Sequence, residues 1–113
     1  MKDCIFCRIV AGEIPATILA ETEIAVAIAD LNAQAPTHAL VIPRRHAANL
    51  SAFVADAEPS ETGGMLELAS RIGVAATGNG YRVVVNEGPD GGQTVHHLHL
   101  HVLAGRPLAW PPG

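Results

Sequence analysis

The most regular pattern in the sequence is an alternation of polar and apolar residues at positions 97–103, which read His-Leu-His-Leu-His-Val-Leu. Successive side chains of a β-strand point to opposite faces. The alternation therefore predicts a strand with three imidazoles on one face, neighbouring rings about 6.6 Å apart, and with its apolar side chains facing a core.

Shorter apolar runs predict the other elements. Strands are expected at residues 16–20, 24–29, 38–43, 81–86 and 95–103, joined by turns rich in Gly and Pro. A short helix is expected at residues 4–10, and one long helix at residues 60–77, where apolar residues recur at helical spacing and Ser60 can serve as the N-cap. We therefore expect one α+β domain over residues 1–113, with an antiparallel sheet of about five strands and a long helix across one face.

Charge and hydropathy narrow the choice of partners. The 113 residues carry seven Lys and Arg against eleven Asp and Glu, a formal charge of −4, which leaves no basic stripe for a nucleic-acid polymer. The start of the chain shows no apolar signal segment, and no apolar run is long enough to cross a bilayer. We expect a cytoplasmic protein that binds neither nucleic-acid polymers nor membranes.

The histidine row and the loop before it are the first candidate site. Imidazole can act as nucleophile, proton carrier or metal ligand near neutral pH, although a row of three could also be a solvated strand face. The loop at residues 86–94, Asn-Glu-Gly-Pro-Asp-Gly-Gly-Gln-Thr, leads directly into the row. It has the composition of an ordinary hairpin turn, but beside the histidines its glycines and polar side chains also resemble a phosphate cradle.

The two cysteines are the second candidate. Cys4 and Cys7 have the spacing of half a tetrahedral zinc site, and two further ligands would have to come from the histidines. Four ligands with no open position would make the site structural rather than catalytic. The alternative is that both cysteines are small buried apolar residues.

The run at 97–103 matches the pattern of the histidine triad (HIT) family, and the chain resembles that family over nearly its whole length. The resemblance also rests on three internal stretches and on the end of the chain: residues 4–7, 35–43, 81–94, 105–107 and 110–113. That ending is similar to the Hint branch, the purine nucleoside phosphoramidases, rather than to the Fhit branch of dinucleoside polyphosphate hydrolases.

This resemblance implies a HIT-like fold and a role for each histidine of the active site. His99 would be the nucleophile that attacks the α-phosphorus of a nucleoside 5′-phosphoramidate. His101 would bind the phosphate and help protonate the leaving amine, and His38 would support the cluster. The implied chemistry requires no metal.

The resemblance also implies the substrate contacts. Asp30 would accept hydrogen bonds from the ribose hydroxyls, and Asn86, Gly92, Gln93 and Thr94 would contact the phosphate. The slot for the purine would be formed by Phe6, Ile9, Ile28, Leu31 and Leu40.

Zinc and a second subunit complete what the resemblance implies. Family members that begin with Cys-x-x-Cys resemble zinc-binding forms whose other two ligands match His46 and His97, so we expect a structural zinc on Cys4, Cys7, His46 and His97. A homodimer is also implied, in which Trp110 of the proline-rich tail lines the leaving-group side of the partner's site. His96 receives no catalytic role.

Three functions remain open at this point. The first is a nucleoside phosphoramidase that works through His99, and the second is a dinucleoside polyphosphate hydrolase. The third is a zinc-stabilised dimer that binds adenine nucleotides and hydrolyses them only incidentally. The complete triad favours an enzyme, because a pure binding module has no use for a nucleophile.

Overall fold

The structure is a computed structural model that describes residues 3–113, so Met1 and Lys2, at the start of the predicted domain, lie outside the described residues. The elements follow one another as α1 (Ile5–Val10), β1 (Ile18–Glu21), β2 (Ala25–Ala29), β3 (Thr37–Pro43), α2 (Leu50–Asp56), α3 (Pro59–Thr77), β4 (Tyr81–Val84), α4 (Gly88–Gly91) and β5 (Leu100–Ala104). The α+β class is confirmed.

The five strands form one antiparallel sheet in the order β1-β2-β3-β5-β4. The central strand β3 pairs with β5 in a register that places His38 opposite Leu103 and Leu40 opposite His101. Residues opposite each other share a face, and residues two apart on a strand do so as well. His38 and His101 therefore lie on the same face, on neighbouring strands.

Each face of the sheet has its own apolar core. Leu98, Leu100 and Val102 pack in the larger core with Met65 and Leu68 of α3. The opposite face holds a smaller cluster of Phe6, Val26, Ile28, Leu40 and Ile42. The long helix thus covers one face, and α1 lies over the face that carries the histidines.

Helices α2 and α3 both differ from the prediction, and the short helix α4 within the loop at 86–94 was not predicted either. The N-cap of α3 is Glu58, in a capping box with Glu61, and Pro59 occupies the first turn, so the assignment of Ser60 as N-cap is wrong. Helix α2 was not predicted, because its seven residues are too few to show a clear helical period; the Asn49 side chain caps it by accepting from Ala52 N–H. No helix among residues 3–113 is long and apolar enough to cross a membrane.

The predicted strand at residues 95–103 is shorter in the structure, where β5 begins at Leu100. His97 and His99 precede the strand, and the N–H of Leu98 between them donates to the carbonyl of Ala47 at 2.8 Å rather than to a sheet neighbour. The alternation of faces nevertheless continues, because Leu98 is buried in the same core as Leu100. The residues just before β5 are thus held by a hydrogen bond to a loop outside the sheet.

Two glycines of α3 provide a test of how closely this helix packs on the sheet. A Cβ added at Gly73 would lie 2.3 Å from the Tyr81 ring, whereas one added at Gly63 meets nothing within 4 Å. We expect Gly73→Ala to lower the free energy of unfolding by about 1–3 kcal/mol through overpacking. Gly63→Ala should raise it by about 0.5–1 kcal/mol through helix propensity. Denaturant unfolding of both variants measures the difference, and equal effects would contradict the close packing of Gly73 on Tyr81.

Candidate active site and metal cluster

Three of the predicted site histidines form a contiguous group on the α1 side of the sheet. The rings of His99 and His101 have centroids 5.0 Å apart, and those of His38 and His101 are 5.2 Å apart. Asp30, directly after β2, places Oδ2 3.3 Å from Nε2 of His38. Pairing of β2, β3 and β5 thus brings together residues that are up to 71 positions apart in the sequence.

Hydrogen bonds to the backbone determine which nitrogen of His99 carries the proton. Nδ1 of His99 lies 2.8 Å from the carbonyl oxygen of His97, which can only accept. Nδ1 therefore donates, and the Nε2 of a neutral His99 keeps its lone pair. A free Nε2 lone pair is the form of imidazole that can attack an electrophile.

The same reasoning assigns the protons of His38 and His101. Nδ1 of His38 accepts from the backbone N–H of Gln34 at 3.0 Å, so the proton of His38 is on Nε2. Nε2 of His38 lies 2.9 Å from Nδ1 of His101, which therefore accepts and leaves the proton of His101 on Nε2. The cluster thus places a free Nε2 lone pair on His99 beside a protonated Nε2 on His101.

Burial keeps the imidazole of His101 neutral. Desolvation, with smaller contributions from neighbouring His99 and His38, lowers the pKa of His101 to about 4. At neutral pH His101 therefore holds a single proton, on the nitrogen that His38 does not contact.

Asp30, His38 and His101 are also close enough to one another to share a metal ion. The proton on Nε2 of His38 argues against this use, because the nitrogen that would face the ion has no lone pair to offer. This group is better suited to hydrogen bonding and proton transfer than to metal binding.

The residues implied as zinc ligands come together on the same side of the molecule. One ligand atom from each of Cys4, Cys7, His46 and His97 lies within 4.8 Å of the other three. The Cys4 Sγ to His97 Nδ1 and Cys7 Sγ to His46 Nδ1 distances are both 3.2 Å. A tetrahedral zinc ion, with bonds of about 2.0–2.3 Å, keeps its ligand atoms roughly 3.3–3.8 Å apart. The spacing of these atoms therefore suits a zinc ion.

The chemistry of the four side chains also favours a cation. Nε2 of the fully buried His97 is 3.1 Å from the carbonyl of Pro43 and must donate to it, so its Nδ1 lone pair faces Nδ1 of His46 at 3.0 Å. Burial and the adjacent sulfur of Cys4 raise the pKa of the Cys7 thiol. Two sulfur atoms and an imidazole lone pair that converge on one point form a donor set that zinc prefers, and binding it would displace the thiol protons.

The loop before the triad is more rigid than a simple hairpin turn, and it includes the short helix α4. The amide of Gln93 donates to the carbonyls of Ala48 at 2.6 Å and Val95 at 3.0 Å, and its oxygen accepts from Gly88 N–H. Both amide hydrogens are therefore engaged. In this structure the Gln93 side chain holds the loop in place, and its predicted contact with a phosphate stays a prediction.

The other loop residues keep more of their hydrogen-bonding capacity. Asn86 uses one amide hydrogen on the carbonyl of Gly91, at 2.6 Å, and keeps a second. The N–H of Gly92 already donates to the carbonyl of Pro89. Gly92 would therefore serve a phosphate only by having no side chain that keeps the anion away from the backbone. Thr94 is exposed. Asn86 and Thr94 remain the residues of this loop best able to donate to an anion.

Sequence reasoning missed Glu87, which accepts from both the N–H and the hydroxyl of Ser51 at the start of α2, at 2.8 and 2.9 Å. It also missed Gln34, whose N–H orients His38. No sequence signal points to either contact, because both depend on which loops the fold brings together.

An apolar groove of about 400 Å³ lies between α1 and β2. Three of the predicted purine-slot residues line it, Ile9, Ile28 and Leu31, the last 99 % exposed. Phe6 and Leu40 do not line it; both are buried in the small core together with Ile28, and their assignment to the slot stays a prediction. The groove is completed by residues that were not predicted: Ile5, Ile14, Pro15, Ala16, Thr17 and Ala29. Ile5 could have been found, because it lies four residues before Ile9 on α1.

The tail holds Trp110 away from the body of the molecule. The Trp110 side chain is 82 % exposed. Arg82 of β4 fixes the chain just before it by donating from Nη2 to the carbonyls of Leu108 and Ala109, at 3.3 and 2.9 Å. Trp110 contributes nothing to the site of its own subunit in this arrangement.

Comparison with known proteins agrees with these observations. Residues 11–108 match the family model of the HIT domain. The crystal structure of a HIT family hydrolase from Legionella pneumophila superimposes with a TM-score of 0.92 at 42% identity, over 98% of this chain and 100% of that chain. A 14 kDa zinc-binding protein of Zea mays is 41% identical over 96% of this chain and 87% of its own. A Zn-bound histidine triad family protein from Mycobacterium smegmatis has a TM-score of 0.83 at 35% identity, over 93% of this chain and 76% of that chain.

Proposed function

Because the chain belongs to the HIT domain family, we propose that it is a nucleotide hydrolase that cleaves purine nucleoside 5′-phosphoramidates through a nucleotidyl intermediate on His99. The observation that carries the proposal is the assignment of protons in the triad. His99 presents an Nε2 lone pair next to His101, whose Nε2 carries a proton. A nucleophile and an acid side by side are what displacement of an amine from phosphorus requires.

In the first step Nε2 of His99 attacks the α-phosphorus, and the bond from phosphorus to the leaving nitrogen breaks. The Nε2 proton of His101 passes to that nitrogen. The positive charge that develops on His99 is stabilised by its Nδ1–H bond to the carbonyl of His97. The negative charge left on His101 is stabilised by the Nε2–H of His38.

In the second step water attacks the phosphorus and the bond to His99 breaks, which restores the neutral nucleophile. The proton that the water loses returns to Nε2 of His101. Two displacements of this kind replace one more difficult displacement. Neither step needs a metal ion, since Asn86, Thr94 and the histidines can stabilise the phosphoryl oxygens.

The groove supports a purine nucleotide as substrate. Its walls are almost wholly aliphatic, which suits the flat face of a base, and it opens between α1 and β2. Asp30, at the end of β2, lies between this groove and His38 and carries a carboxylate that can accept from ribose hydroxyls. An aliphatic groove gives no basis for choosing adenine over guanine.

Turnover of a substrate panel tests the proposal. Adenosine and guanosine 5′-phosphoramidates should give the highest kcat/KM, above acyl-adenylates and dinucleoside polyphosphates. A preference for dinucleoside polyphosphates would instead support the Fhit type of activity. Nucleotide binding without turnover of any member of the panel would support a binding module.

We also propose that Cys4, Cys7, His46 and His97 hold one structural zinc ion. The support is the distances among their ligand atoms, the Nδ1 lone pair that Pro43 imposes on His97, and the zinc-binding relatives. Four protein ligands leave no open position for a substrate, so a structural role is favoured.

A homodimer is a further part of the proposal. The sheet ends at β4, an edge strand on which Tyr81 and Val83 are exposed. Leu66 and Val74 of α3 are also exposed. They lie one helical turn before and after Ser70, whose hydroxyl accepts from the Tyr81 hydroxyl at 3.2 Å, so they are on the side of α3 next to this edge. An apolar edge and helix face of this kind suit a second copy, whose site Trp110 would then reach.

We therefore expect Val83→Lys to convert a dimer into a monomer by placing a charge at this edge. Val54→Lys is the matched control, since Val54 is 54 % exposed on α2, outside this face. Sedimentation velocity at micromolar concentration distinguishes the two. A monomeric unmodified protein, or equal effects of both variants, would contradict the proposed interface.

A further inference from the structure

Phe6 lies between His99 and the metal cluster, the name used from here for the four proposed zinc ligands Cys4, Cys7, His46 and His97. Its ring meets those of His97 and His99 edge-on, with centroid distances of 5.9 and 5.1 Å and interplanar angles of 80° and 76°. The side chain is 7 % exposed and does not line the apolar groove. The ring thus touches a proposed metal ligand on one side and the proposed nucleophile on the other.

The position of Phe6 is set by the cysteines that flank it. Helix α1 has only six residues, too few to be stable alone. The Sγ of Cys4 caps it by accepting from the N–H of Cys7 at 3.3 Å. Fixing both sulfurs on one ion would therefore fix the turn of helix that carries Phe6.

His99 depends on such a contact for its orientation. It precedes β5, so sheet pairing does not hold its backbone. Its ring has one hydrogen bond to the protein, from Nδ1 to the carbonyl of His97. Rotation about the Cβ–Cγ bond would exchange the two ring edges and break that bond. The Phe6 ring, packed edge-on with its centroid 5.1 Å from that of His99, leaves the imidazole less room to turn.

We propose that Phe6 is a positioning residue that transmits the order of the metal cluster to His99 and holds its Nε2 toward the substrate. The inference rests on the proposed role of His99 as nucleophile. It assigns to Phe6 a function in addition to the purine contact that the family resemblance implied. A misplacement of about 1 Å at a reacting atom can lower the rate about 100-fold. Loss of the Phe6 ring edge would therefore lower kcat measurably even if Nε2 of His99 moved only slightly.

Phe6→Leu tests the proposal, with Phe53→Leu as the matched control. Phe53 is the other phenylalanine of the chain, 1 % exposed in the core under α3. With zinc content verified in both variants, Phe6→Leu should lower kcat by about 10- to 100-fold while KM changes less than about threefold. Phe53→Leu should leave kcat within about twofold although its melting temperature falls. Phe6→Tyr, which keeps the ring edge, should restore most of kcat.

A second measurement reports on His99 without any substrate. Nitrogen-15 NMR of the imidazoles should find a single Nδ1–H tautomer of His99 in the zinc-loaded protein and in Phe53→Leu. In zinc-loaded Phe6→Leu it should find a mixture of tautomers. If Phe6→Leu does not fold, Phe6→Met, which also lacks a ring, replaces it in both measurements.

The outcomes separate this inference from the proposed function. A raised KM with unchanged kcat in Phe6→Leu would make Phe6 a wall of the binding slot and overturn the proposal. Equal effects of Phe6→Leu and Phe53→Leu on kcat and on the His99 tautomer would show that Phe6 contributes only to packing of the core. If the unmodified protein turns over none of the panel, the proposed function fails, and the NMR comparison still decides whether Phe6 orders His99.

Discussion

Replacing His99 with alanine should lower turnover of a nucleoside phosphoramidate by about 10⁴-fold or more, because it removes the nitrogen that forms the covalent intermediate. The fold should persist, since the backbone contacts on either side of residue 99, from Leu98 to Ala47 and within β5, do not involve the imidazole. Steady-state kinetics and thermal unfolding of the same preparation measure both effects. Nucleotide binding should remain in the micromolar range.

His96→Ala is the matched control for this prediction. His96 is exposed and adjacent to the row, so its loss should leave kcat and stability close to those of the unmodified protein. A slow substrate that leaves a trapped nucleotidyl group allows the labelled peptide to be mapped. A label on any residue other than His99 would remove the basis of the proposed mechanism.

The sequence was sufficient to predict an antiparallel sheet of about five strands and the faces of its last strand, but not the order of the strands. Leu98, Leu100 and Val102 point into the core under α3 as their spacing indicates, although β5 starts only at Leu100. Leu98 thus keeps the orientation that its spacing predicts although it lies outside the paired strand. The start of β5 could not be predicted, since it depends on the Leu98 contact with Ala47, 51 positions earlier in the sequence.

The proton positions in the site could not be predicted at all. They are set by the carbonyls of His97 and Pro43 and by the N–H of Gln34. Backbone groups of this kind are present at every residue, so no sequence pattern marks the ones that a fold will use. The resemblance had already implied which histidine would be the nucleophile and which would protonate the leaving amine, and the geometry adds which nitrogen of each ring carries the proton.

Gln93 shows the same limit in the loop. Its residue type suits a phosphate donor, and the resemblance implied that role, but its amide is engaged by the carbonyls of Ala48 and Val95. Ala48 lies two residues after His46, so this bond ties the loop to the segment that carries a proposed zinc ligand. The four proposed zinc ligands are therefore connected to the proposed active site through the loop as well as through Phe6.

Loss of the proposed zinc site should have the largest effect on stability. Removing one of four ligands in a part-buried cluster leaves the remaining sulfurs and lone pairs without a compensating charge. We expect His46→Ala to lower the free energy of unfolding by about 3–5 kcal/mol. At roughly 4 °C per kcal/mol for a chain of this size, the melting temperature should fall by about 12–20 °C.

Metal analysis and chelation separate this effect from ordinary loss of packing. Protein purified without chelator should contain one zinc per chain, and so should the exposed-site control His96→Ala, whereas His46→Ala should contain none. A chelator should lower the melting temperature of the unmodified protein toward that of His46→Ala and leave the variant unchanged, because the variant has no ion to lose. Absence of zinc from the unmodified protein, or full zinc content in His46→Ala, would contradict the proposed zinc site. Cys4 and Cys7 would then be small packing side chains on either side of Phe6. The link from Phe6 to His99 would then rest on packing alone.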